Sequence, residues 1–197
     1  LILDEVKTGF RIANGGAQEL LGIEPDLATY AKAMGNGYPI AALGGKREVM
    51  SIIGHGVAHG GTYTNNKPGV AAAYATLTLL KEKPILQTIR QRGTRLMQGL
   101  QEIFEDNDLP VIVSGFPAMF SFALGITDVT CQRDWNKSDR DLYIRLVQMA
   151  IDRGVMPDFD AREPWFLCYE HTQKDIDVTL QIFAEIVKTV KRDYVKA

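Results

Sequence analysis

Cysteine, net charge and long apolar runs are all scarce in this chain, and each scarcity excludes something. Two of 197 residues are cysteine, Cys131 and Cys168. That is too few for a disulfide framework, and their separation fits no paired zinc or redox motif. Lys plus Arg total 22 against 24 for Asp plus Glu, a formal net charge of −2. Such balance removes the electrostatic case for a general nucleic-acid binder. No basic run offers a grip on an anionic membrane surface. The longest nearly apolar stretch, Gly69 to Leu80, is too short to span a bilayer and contains Tyr74, Thr76 and Thr78. Few cysteines and no signal-peptide pattern favour a cytoplasmic setting. What remains is 46% hydrophobic and 23% charged, an ordinary globular composition able to bury a core without staples.

The opening Leu1-Ile2-Leu3-Asp4-Glu5-Val6 has no Met and no polar lead-in, and reads as the middle of a buried strand. The start of the natural protein is therefore expected to lie upstream. Glycine is scarce in the second half: 13 of 18 fall in residues 1–83. Glycine-dense loops between short apolar runs imply tight turns and close backbone approach to a ligand. The boundary is placed near Lys83-Pro84, since proline suits a helix start. This divides the chain into segments 1–83 and 84–197.

Periodicity predicts strands at Leu1–Asp4, Asp26–Tyr30, Ile40–Gly44, Val111–Val113, Met119–Leu124, Val155–Met156 and Trp165–Tyr169. Helices are expected over Lys46–Ile53, Asn66–Lys81, Pro84–Asp106, Lys137–Arg153 and Lys174–Lys191. Strands alternating with helices define an α/β class.

Three groups of residues carry potential chemistry. Asp4-Glu5 ends the first strand, and ligands of open parallel sheets sit beyond the carboxyl ends of strands. The competing role is an acid that caps a loop or helix. Lys32 lies in Ala31-Lys32-Ala33-Met34-Gly35-Asn36-Gly37, the only basic residue between Arg11 and Lys46. It is either an amine nucleophile, which desolvation or a nearby cation must activate, or a snorkelling surface lysine. His59-Gly60-Gly61-Thr62-Tyr63-Thr64-Asn65-Asn66 leads into an Ala-rich helix. Its free amides and hydroxyl suit a phosphate, and equally a helix cap.

Other patterns fail on their chemistry. Gly35-x-Gly37 lacks the third glycine of a dinucleotide fingerprint, and Pro39 blocks the helix it should open. Gly44-Gly45-Lys46-Arg47 lacks the hydroxyl residue of a P-loop. His55 and His59 have metal-like spacing, but intervening glycine argues against the rigid helix zinc would need. Trp135 and Trp165 read as core or interface.

Taken together and in order, Asp4-Glu5-Val6-Lys7-Thr8-Gly9-Phe10-Arg11, Pro25-Asp26-Leu27, Ala31-Lys32 and Gly61-Thr62-Tyr63-Thr64-Asn65 resemble the class III pyridoxal-phosphate (PLP) aminotransferases. Within that class the likeness is to glutamate-1-semialdehyde aminomutase-like enzymes. The 28-residue spacing from Asp4 to Lys32 suits the family, as does Glu170-His171-Thr172 before Asp175-Ile176-Asp177. The resemblance implies an aspartate aminotransferase-like fold-type I PLP transferase: the end of the large cofactor domain in 1–83, then a connecting helix and a small α+β domain in 84–197. It implies that Lys32 forms the Schiff base with pyridoxal 5'-phosphate and later shuttles a proton. Asp4 pairs with the pyridine nitrogen, Val6 packs on the ring, and Gly61 with Thr62 holds the phosphate. Since that threonine comes from a neighbouring subunit in this family, a homodimer with shared sites is implied. Small-molecule amino donors and carbonyl acceptors would be the partners.

Enzymes of this family are about twice as long as this chain, so the 197 residues alone are expected to bind cofactor poorly and to be inactive. The same cofactor could instead serve a mutase or racemase. A non-enzymatic alternative is an incomplete fragment acting as an oligomerising or binding module. Arg162, in Ala161-Arg162-Glu163-Pro164, either grips a substrate carboxylate or pairs with Asp160 or Glu163.

Overall fold

The computed structural model describes residues 1–194. They form two compact units, Leu1–Leu86 and a second from Gln87 onward. The first holds strands β1 (Ile2–Asp4), β2 (Leu27–Tyr30) and β3 (Ala42–Gly45) and helices α1 (Gly16–Leu21), α2 (Arg47–Met50) and α3 (Lys67–Glu82). A 3-10 turn, Lys32–Gly35, follows β2. The strands form one sheet in the order β1-β2-β3. β1 runs parallel to β2, with Ile2 opposite Leu27 and Asp4 opposite Thr29. β3 returns antiparallel, Tyr30 opposite Ala42. Their ends are tied by Lys46, whose Nζ donates to Asp26 Oδ1 at 2.8 Å.

Two expectations about this unit are corrected. β1 is not buried: Ile2 is 68% exposed, because the strand lies at the sheet edge and pairs with β2 alone among the described residues. The helix expected over 46–53 is a single turn, and α1 was not expected at all. Six residues of Gly-Ala-Gln-Glu-Leu-Leu are too short to declare a helical period.

The second unit takes up α4 (Ile85–Glu105), which begins just before the division, then β4 (Val111–Phe116) and β5 (Met119–Leu124). Next come α5 (Gln132–Trp135), α6 (Arg140–Ile151), β6 (Trp165–Phe166) and α7 (Gln173–Tyr194). β5 is the central strand of an antiparallel sheet, order β4-β5-β6. Its inward residues Phe120 and Phe122 are almost fully buried. Phe122 meets the rings of Phe104, Tyr143, Trp165 and Phe183, with centroids 5.2 to 6.3 Å apart. Such separations suit tilted and edge-on aromatic packing. α4 comes so near the β4–β5 turn that a Cβ on Gly93 would collide with the carbonyl of Pro117.

Here too the chain departs from its periodicity. The helix expected over 137–153 forms as α6 but starts three residues later, because Asp139 accepts from Leu142 N at 2.9 Å and caps it. No strand forms at Val155–Met156: the Val155 amide is spent on Ala150 O at 3.0 Å, closing α6 through the left-handed Gly154. β6 stops at Phe166, and Cys168 N turns to His171 Nδ1 at 3.0 Å. No helix among the described residues is long and apolar enough to cross a membrane.

Replacing Phe122 with alanine removes the ring at the centre of this cluster, and a destabilisation of about 3–5 kcal/mol is expected in urea unfolding. A second expectation concerns α7. Thr172 donates through its amide (2.7 Å) and hydroxyl (2.6 Å) to Asp175, whose amide bonds back to the hydroxyl at 3.3 Å. Chiefly through the Thr172 hydroxyl, this box holds the Asp175 carboxyl below its ordinary range. A lowered folded pKa adds stability above the unfolded value of about 3.9, and loses it as pH falls through the folded value. The melting-temperature gap between wild type and Asp175→Ala should therefore be widest near neutrality and narrow below about pH 4.

Candidate active site

Neighbouring residues of a strand face opposite ways, so Asp4 and Glu5 cannot share an environment. The structure gives them opposite fates. Glu5 is 0% exposed. Its carboxylate accepts from the backbone amides of Ala17 (2.9 Å) and Gln18 (3.0 Å) and from the Thr8 hydroxyl. Those amides belong to the first turn of α1, which has no side-chain cap of its own. Gly16 makes room: its φ is +71°, and a Cβ there would run into the Glu5 carboxyl. Glu5 is thus the helix cap.

Asp4 is the exposed member of the pair, at the carboxyl end of β1. Its Oδ1 accepts from Val6 N at 2.9 Å and Thr29 Oγ1 at 3.4 Å. Both bonds fall on one oxygen, and among the described residues no donor reaches Oδ2. Val6, held by that bond, is half-buried beside it.

Lys32 stands beyond the carboxyl end of the neighbouring strand, β2. The register sets Asp4 opposite Thr29, three residues before Lys32 and just short of the end of β2. Lys32 opens the 3-10 turn with φ 46°, a left-handed conformation that costs a non-glycine residue on the order of 1–3 kcal/mol. The turn closes through Met34 N to Ala31 O (3.1 Å) and Asn36 N to Ala33 O (3.2 Å). Lys32 itself is exposed, so both an amine nucleophile and a surface lysine remain compatible with its setting.

Gly61 and Thr62 lie in an exposed loop ahead of α3. Thr64 N bonds Gly61 O at 3.0 Å, and a Cβ on Gly61 would meet only Thr64 Oγ1, at 3.7 Å. No hydrogen bond joins Thr62 to Asp4 or Lys32 among the described residues. The start of α3 does pack on the chain after Lys32: Asn66 Nδ2 donates to Pro39 O at 3.4 Å. The structure therefore brings Asp4, Val6 and Lys32 to one end of the β1–β2 pair and leaves Thr62 on a separate loop of the same unit.

Arg162 takes its acid-paired alternative. Nε bonds both Asp160 oxygens, at 2.9 and 3.1 Å, and Nη2 bonds Oδ2 at 2.5 Å. These bonds hold the Asp160 carboxyl far below the usual carboxylate range. A cavity of about 520 Å³ in the second unit, between Val155, Met156, Trp165, Phe166 and Leu167, contains none of the candidate residues. The candidate residues Asp4, Val6 and Lys32 lie instead at the carboxyl end of the parallel β1–β2 pair.

The donor set there fits pyridoxal phosphate: an amine for its aldehyde, a carboxylate oxygen for its ring nitrogen, and a loop of glycine amides and a hydroxyl for its phosphate. Sequence reasoning missed the Glu5–Gln18–Tyr30 connection, in which Gln18 Nε2 also bonds the Tyr30 hydroxyl. The visible signal was the Gly15-Gly16 pair.

Known proteins agree with this fold. The FumI protein of Sphingopyxis sp., solved in its PLP internal aldimine form, matches 99% of this chain and 44% of its own, with TM-score 0.84 and 27% identity. An omega-transaminase from Sphaerobacter thermophilus matches 95% of this chain and 44% of its own, with TM-score 0.79 and 26% identity. The architecture is that of a fold-type I PLP-dependent transferase. Residues 1–183 match the model of the class-III aminotransferases, and the chain belongs to that family. Glutamate-1-semialdehyde 2,1-aminomutase of Thermus thermophilus is 37% identical over 188 residues, 94% of this chain and 44% of the relative. The chain thus spans less than half the length of the relatives it matches.

Gly16→Ala tests the crowding around Glu5. The added methyl meets both the carboxyl and an unfavourable φ, so a loss of about 1–3 kcal/mol is expected in denaturant unfolding.

Proposed function

We propose that this chain carries the lysine-bearing part of a PLP-dependent site that transfers an amino group, as transaminase or as glutamate-1-semialdehyde aminomutase-like enzyme. The observation that supports it most is the arrival of Asp4 and the Lys32 turn at the carboxyl ends of two parallel strands in a chain of the class-III aminotransferase family. Bound PLP supplies an aldehyde and a protonated pyridine ring that withdraws electrons from the substrate's α-carbon. Lys32 would hold the cofactor through its Nζ, condensing with the aldehyde with loss of water. As a free amine, Lys32 Nζ would be placed to move a proton at the substrate's α-carbon. Asp4 accepts the ring N–H through Oδ2 and keeps that nitrogen protonated, since opposite charges favour each other's ionised forms. Val6 covers a ring face. Thr62, with the Gly61 amide, donates to the phosphate.

On this reading, the unit Leu1–Leu86 is the C-terminal part of a PLP-binding domain, and the second unit is the small domain. Thr62 serves the site of a second copy, in a homodimer. The substrates are a small amino donor and a carbonyl acceptor. The two exposed free thiols, Cys131 and Cys168, agree with a cytoplasmic setting. Asp4, Lys32 and Thr62 are all exposed, so water competes at each, and weak cofactor binding is expected of the 197 residues by themselves.

Borohydride reduction with PLP followed by peptide mapping tests the assignment, because reduction traps even a sparsely populated linkage. The expected product is a phosphopyridoxyl group on Lys32, absent from Lys32→Ala. Asp4→Ala should weaken cofactor binding, because the protonated ring nitrogen loses its charged partner. A chain that acquires no adduct at Lys32 contradicts the proposal.

A further inference from the structure

Glu5 is a fully buried acid that the mechanism above does not use. Its place in the chain is unusual. It sits between Asp4 and Val6, whose own hydrogen bond passes around it. Its backbone amide donates to Thr29 O at 2.9 Å, the β2 residue opposite Asp4. Its carbonyl accepts from Gly9 N at 2.9 Å. A Cβ on Gly9 would lie 2.9 Å from the Tyr30 ring. Its carboxylate holds Gln18 by the backbone, and the Gln18 side chain bonds the Tyr30 hydroxyl. Phe10 packs on the same Tyr30 ring with centroids 5.5 Å apart. Tyr30 ends β2, two residues before Lys32. One buried carboxylate is therefore joined to both candidate residues, by the backbone to Asp4 and through Gln18 and Tyr30 to the turn that carries Lys32.

We infer that Glu5 is a positioning residue: through α1 and Tyr30 it fixes the Lys32 turn relative to Asp4. This rests on the functional reading above only for its consequence, not for its physics. Buried hydrogen bonds hold geometry because a broken one leaves a desolvated group without a partner. Lys32 needs such a restraint, since its left-handed backbone persists only where the surroundings enforce it. A cap that acted on α1 alone would need no tie to Tyr30.

Glu5→Gln keeps the side-chain shape but sets an amide NH2 against a backbone N–H. The decisive measurement is amide hydrogen exchange on the cofactor-free protein. Exchange should quicken by roughly tenfold or more not only at Ala17 and Gln18 but also at Met34 and Asn36 in the Lys32 turn, and at Val6 beside Asp4. Gln18→Ala keeps the buried acid and cuts the link to Tyr30. It should quicken Met34 and Asn36 and leave Val6 unchanged, and it decides the matter if Glu5→Gln does not fold. In both variants, borohydride trapping at Lys32, counted per folded molecule, should fall severalfold. Exchange changes confined to α1, or trapping per folded molecule equal to wild type, overturn the inference. Absence of trapping in the wild type overturns the functional reading instead, and the exchange pattern tells the two failures apart.

Discussion

Three backbone pairs hold β1 parallel to β2, and the last of them sets Asp4 beside Thr29. From that register follows the position of every candidate residue at the strand ends. Asp4 ends one strand, and the other runs on for one residue before turning into Lys32–Gly35. A shift by one residue would send Asp4 inward and Glu5 outward, since strand side chains alternate. Glu5 opposes such a shift. Its carboxylate is matched to the α1 amides and the Thr8 hydroxyl, and no exposed position would offer it three donors at once. The buried acid thereby determines which of the two carboxylates faces outward.

The second unit follows a different logic. Its sheet is antiparallel and its core is a cluster of aromatic rings around Phe122. A polar crossing in it, Trp165 Nε1 to the Tyr143 hydroxyl to Asp158 O, ties down the loop after α6. The charged groups at the tip of that loop neutralise each other as Asp160 and Arg162. The proposed site residues, by contrast, stand on the strand ends and loops of the first unit.

How much of this was legible depends on period and length. α3, α4 and α7 span four or more turns, and their apolar stripes place them within a few residues of the structure. The start of α6 was set three residues too early, because Asp139 looks like any polar helix residue until its oxygen meets Leu142 N. β6 shrank to two residues for a similar reason: Trp165 to Tyr169 are strand-formers, but the His171 ring claims the amide of Cys168. At the site, Asp4 and Lys32 were legible by type and spacing. Which of Asp4 and Glu5 turns inward was not, for alternation fixes that they differ and only the tertiary partners fix the sense. The left-handed φ of Lys32 was invisible as well, since the flanking alanines give no turn signal.

The protonation of the cofactor's ring nitrogen tests the central claim, that Asp4 and Lys32 address one bound molecule. Nitrogen NMR of the protein loaded with PLP labelled at the pyridine position reads it directly. The account predicts a protonated nitrogen at neutral pH in the wild type, and an unprotonated one in Asp4→Asn with the cofactor still on Lys32. A nitrogen whose protonation ignores residue 4 would contradict it.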